Sequence, residues 1–129
     1  MIFNMTQEEK ELLLKDLCMR LPYHCRVFYE YVDDLDNKTY GYSLTLNTWC
    51  IDEFNADKAV VKPYLRPMSS MTEEEYKEYY KTFRAESYGR GYVYVESVKS
   101  FDWLNKHHFD YRGLIEKGLA LEAPKGMYN

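Results

Sequence analysis

No stretch of this chain stays apolar for more than a few residues, and Leu12-Leu13-Leu14 is typical of the runs it does have. A spanning helix needs about 20 apolar residues, so a membrane protein is not expected. The start, Met1-Ile2-Phe3-Asn4-Met5, lacks the basic residues and apolar stretch of a secretory leader. Cysteine is scarce: Cys18, Cys25 and Cys50 are the only three. An odd number without framework spacing argues against a disulfide scaffold and for a reducing, cytoplasmic setting. Cys18 lies among leucines at helical spacing and reads as a buried thiol.

The chemistry-bearing motifs are missing too. There is no Gly-x-Ser-x-Gly elbow, and Tyr88-Gly89-Arg90-Gly91 lacks the pattern and the preceding apolar strand of a phosphate loop. Cys25 beside His24 is a chance-level pair, because catalytic partners are usually remote in sequence. No basic patch suited to a phosphate backbone is present, which argues against direct nucleic-acid binding. No cofactor is expected.

What the chain has in excess is tyrosine, 14 of 129 residues, and a local concentration of acid. The formal net charge is −4, yet Phe28 to Asp57 holds seven acids against the single base Lys38, a local charge of −6. Tyrosine offers a broad apolar ring with a polar tip and is enriched where proteins meet partners. Its ordinary use is to fill half-buried strand and helix faces.

Hydrophobic spacing and caps predict an α+β chain: an N-terminal helix, an antiparallel sheet of about three strands, then two or three C-terminal helices. The first helix is expected over Gln7 to Arg20. Thr6 and Glu9 form a capping-box pattern before it, and Pro22 stops it. Arg26 to Val32, Thr39 to Thr45 and Thr48 to Phe54 read as strands. Val60 to Pro67 reads as an irregular connector, since Pro63 and Pro67 disfavour helix before them. Thr72 and Glu75 repeat the capping box and open a helix expected to reach Arg84. Its Tyr76, Tyr79, Tyr80 and Phe83 share one face, most simply a core face. Two glycines make 88–92 a loop. A third helix is expected over Val95 to His107, and a short one from Asp110 to Gly118. One domain spanning 1–129 is expected, with 1–5 and 123–129 as loosely ordered tails.

Two sites merit consideration. His107, His108 and Asp110 together carry two imidazoles and a carboxylate, which can ligate a metal. Adjacent helical histidines diverge by about 100°, unlike an i, i+4 metal pair. The simpler reading has His108 closing the helix over the core and His107 solvated. The second candidate is a binding surface made of Asp33, Asp34, Asp36, Tyr40, Tyr42 and Trp49.

Met5 to Leu21, Lys62 to Glu75, Asp102 to Asn105 and Asp110 to Pro124 together resemble a group of small proteins common in Bacteroides-type gut bacteria and their phages or prophages. The resemblance implies a mobile-element setting in a bacterial cytoplasm and carries no catalytic assignment. The sequence therefore supports a non-enzymatic interaction protein whose partner has a basic surface. Two rival readings are a small metal-dependent enzyme using the histidine cluster, and a structural homodimer whose exposed tyrosines cover one another.

Overall fold

A computed structural model describes residues 5–128. The first helix, α1 (Gln7–Arg20), begins as its cap predicts: the Thr6 side chain accepts from the Glu9 amide, and Glu9 returns a bond to the Thr6 amide. Its buried face differs from the expected one. Leu13, Asp16, Leu17 and Arg20 point inward, whereas Cys18 is exposed. Asp16 and Arg20 form a fully buried ion pair at 2.8 Å. Arg20 also donates to the carbonyl of Phe109, and Arg112 reaches the second Asp16 oxygen. The charges go inside because the C-terminal segment brings them partners.

Strands β1 (Arg26–Val32) and β2 (Thr39–Thr45) pair antiparallel as a hairpin. The third expected strand is instead helix α2 (Thr48–Asn55). The Asn47 side chain accepts from the Cys50 amide at 2.9 Å and caps a helix there. Leu46, Cys50 and Phe54 then fall at a spacing of four, and all three are buried.

The expected connector is β3 (Val60–Pro67), which lies inside the sheet. Its two prolines are tolerated because they sit where pairing ends. The ladder with β1 stops at Val27 opposite Pro63, and Pro67 closes the strand. β3 also pairs in parallel with β6 (Phe109–Asp110), which follows beyond the end of β1, and with β7 (Leu121–Glu122) on its other edge. The sheet is thus five-stranded and mixed, not three-stranded and antiparallel. Helices α1 and α2 contribute Leu13, Leu17, Cys50 and Phe54 to the core that covers it.

Beyond β3, helix α3 (Glu73–Tyr80) stops short of Arg84. Thr82 turns back there: its hydroxyl donates to the Tyr79 carbonyl, and its own carbonyl accepts from the Ser97 hydroxyl. The expected loop is the tip of a second hairpin, β4 (Arg84–Tyr88) and β5 (Gly91–Val95). Gly89 has φ +61°, which suits the first central position of a two-residue type II′ turn. Helix α4 (Val98–Lys106) follows and ends at His108, a non-glycine residue with φ 65°. The short helix expected from Asp110 does not form. The Asp110 carboxylate takes the amides of Leu114 and Ile115, and Leu119 and Ala120 both bond to the Leu114 carbonyl. These bonds fold 111–120 into successive turns. Tyr79, Leu104 and Phe109 make a second, smaller core.

Residues 123–128, expected to lie loosely on the surface, are held by Tyr128; residues 1–4 and 129 lie outside the described residues. The Tyr128 hydroxyl accepts from the Arg26 amide at 2.9 Å and donates to the Tyr64 carbonyl at 2.7 Å. Arg26 and Tyr64 are the next step of the β1–β3 register after Val27 and Pro63. The hydroxyl therefore takes the place of the ladder where it runs out.

Candidate functional site

The hairpin register decides which tyrosines meet. Tyr29 lies opposite Tyr42 and Tyr31 opposite Tyr40, so all four project from one face of β1 and β2. Helix α2 adds Trp49 to the same side. Tyr29 is buried at the centre, stacked on Trp49 at 4.8 Å between ring centres and touching Tyr42 at 5.4 Å. Tyr31 bridges to Tyr40 and Tyr42 at 6.0 and 6.5 Å. Tyr40, Tyr42 and Trp49 remain more than two-fifths exposed. The opposite face of the hairpin carries Phe28, whose ring lies where a side chain on Gly41 would be, 2.3 Å from an ideal Cβ. Burial and then the Glu53 carboxylate push the Tyr29 hydroxyl up to about 12. Tyr29 therefore serves as a neutral platform for the outer rings.

The three acids of the hairpin loop have separate roles. One oxygen of Asp33 accepts from the amides of Leu35 and Asp36, which builds the turn. Asp36 accepts from the Lys38 amide and from the Tyr40 hydroxyl. The Tyr40 bond, and next the Lys38 amide, hold the Asp36 carboxyl below its usual range. Asp34 is exposed at the tip beside Leu35, which is 98% exposed. Of the six residues the sequence singles out, Tyr40, Tyr42 and Trp49 converge through Tyr29 and Tyr31. Asp36 joins them through Tyr40, while Asp33 serves the loop. Leu35 had no signal beyond its place in a polar turn.

The histidine cluster does not converge. His107 is half-buried and lies tilted against Trp103, ring centres 4.1 Å apart, rather than standing in solvent. His108 is half-buried and stacks on Tyr128 at 3.7 Å. Burial, then the charge of Arg20, lowers its pKa to about 4, so it is neutral at pH 7. Both oxygens of Asp110 are engaged by backbone amides. Among the described residues no three His, Cys, Asp or Glu side chains converge as a metal site.

Beside this cluster an open cleft of about 690 Å³ is lined by Arg66, Glu75, His107, Lys125 and Tyr128. Arg66 is committed within it: both of its terminal nitrogens bond Glu75, at 2.8 and 2.7 Å, and its guanidinium lies over the Phe109 ring. Those bonds hold the Glu75 carboxyl at about 2. The nearby Ser70 hydroxyl donates to the Pro67 carbonyl. Cys25 is buried, and desolvation raises its thiol to about 11.

The fold is α+β, and among the described residues an aromatic face of β1, β2 and α2 stands exposed with Asp36 bonded to Tyr40 at its edge. No family model, curated protein or solved structure matches the chain. Among the described residues no helix is long and apolar enough to cross a membrane.

Proposed function

We propose that this protein is a non-enzymatic interaction module that covers a basic surface of another protein with the face formed by β1, β2 and α2. One observation carries the reading: Tyr40, Tyr42 and Trp49 stand exposed around the buried ring of Tyr29, with acids beside them. Preassembled rings lose little conformational freedom when a partner covers them, and they supply anchoring area. The carboxylates steer a basic partner toward the rings and repel acidic ones. The setting that fits is the one the sequence resemblance implies, a mobile-element protein acting on a host protein in a bacterial cytoplasm.

The test begins with capture of the partner from a lysate of the source cells and continues with association kinetics. Asp33 and Asp36 hold the loop together, so Asp34 is the cleaner reporter of charge. Asp34→Lys should slow association and flatten its salt dependence, because exposed charges act over about 10 Å at 0.1 M salt. Tyr42→Ala with Trp49→Ala should speed dissociation. A partner whose rates ignore all three substitutions, in protein that remains folded, rejects this surface.

A further inference from the structure

The hairpin of β4 and β5 stands apart from the five-stranded sheet, and nearly all of it is exposed. A lone two-stranded ribbon is marginally stable in water, and both of its outer edges carry unpaired backbone groups. The two edges are not alike. β4 carries Arg84 and Glu86, the charges that protect an edge, whereas β5 reads Gly91-Tyr92-Val93-Tyr94-Val95 without a charge or a proline. Tyr92, Val93 and Tyr94 are 74%, 46% and 56% exposed.

The turn fixes which groups of β5 point outward. With Gly89 and Arg90 as the two loop residues, Tyr88 and Gly91 close the hairpin, and bonded pairs then alternate along it. Val93 bonds inward to Glu86. Tyr92 and Tyr94 turn their N–H and C=O groups to the free edge, where no other backbone group among the described residues meets them.

We propose that the β5 edge binds the β5 edge of a second copy of this chain, antiparallel about a two-fold axis at Val93, to form a continuous four-stranded sheet. The sequence is self-complementary in this register. Tyr92 meets Tyr94 of the second copy as a bonded pair, and Val93 meets its own mate as the close, non-bonded pair. Just beyond the strand ends, Arg90 of the turn comes opposite Glu96 of the second copy, which also accepts from Tyr79, and Glu96 opposite its Arg90, so the charges that meet there are opposite rather than alike. The same operation on β4 would set Glu86 against Glu86, a like-charge contact. Edge pairing also extends an aromatic strip: Tyr94 touches Tyr80, which stacks on Tyr76. Joining copies by this arm leaves the acidic face of β1, β2 and α2 free, so a dimer would present it twice.

Sedimentation equilibrium of the full chain from micromolar to millimolar concentration tests the proposal. The mass should move from monomer toward dimer, since a short edge interface is a weak one. Val93→Lys and Val93→Glu should each weaken association several-fold, and an equimolar mixture of the two should restore it. Tyr92→Pro, which removes an outward N–H, should abolish it, whereas Ala85→Pro on the other edge should not. Tyr42→Ala with Trp49→Ala should leave the dimer intact, which separates this interface from the acidic face. A monomer throughout the concentration range, or a lysine and glutamate mixture no more associated than either variant alone, overturns the proposal.

Discussion

Replacing Asp16 by leucine should cost the native state about 3–5 kcal/mol. The size follows from burial. Asp16 and Arg20 have no exposed side-chain surface, so their pairing at 2.8 Å is not weakened by water. A solvent-exposed pair would be worth only about 0.2–1 kcal/mol. Without the carboxylate, the Arg20 guanidinium keeps one hydrogen bond among the described residues, from its Nη2 to the Phe109 carbonyl at 2.7 Å. Its Nη1 has no hydrogen-bond partner among the described residues, and beyond that bond the guanidinium keeps only the face of the Tyr111 ring, 5.5 Å from its centre. Arg112 loses its acceptor as well. For a domain of this size, the loss converts to a fall in melting temperature of roughly 10–20 °C. Urea and thermal unfolding followed by circular dichroism would measure it. The double variant Asp16→Leu, Arg20→Met should be more stable than Asp16→Leu alone, because it removes the stranded charge along with its partner. A loss below about 1 kcal/mol for the single variant, or a double variant as costly as the sum of the singles, would refute the reasoning.

Three further outcomes are expected. Tyr128→Phe removes the hydroxyl that joins Arg26 to Tyr64 and should lower stability by about 1–3 kcal/mol in urea titration, with the fold otherwise retained. In the native protein a thiol reagent should modify Cys18 quickly and reach buried Cys25 and Cys50 only on unfolding; equal rates for all three would contradict the burial of the latter two. His108 ionises near pH 4 when folded and near 6.5 when unfolded, so the unfolded chain binds more protons between those values. Stability should therefore fall as pH drops from 6.5 toward 4, and His108→Asn, which tolerates the positive φ, should flatten that part of the profile.

Features governed by neighbours within about four residues were legible in the sequence. The capping boxes at Thr6 and Thr72 mark the starts of α1 and α3, β-branched and aromatic composition marks β1, and alternation marks β2, because a cap bond or a strand preference needs no distant partner. Tyr40, Tyr42 and Trp49 were legible as candidates. Their convergence depended on the pairing register and on Asn47 capping a helix where a strand was expected. Distant contacts decided the rest. Thr82 ends α3 through Ser97, and Pro63 becomes a central-strand residue because Tyr128 supplies a bridge at the ladder's end. Arg20 turns inward because Phe109, 89 positions away, brings a carbonyl to it. In each case the deciding partner lies outside any local window, and it arrives only when the chain closes on itself. Local bonds therefore set where elements begin, and tertiary structure decided which faces are buried and which rings stand together.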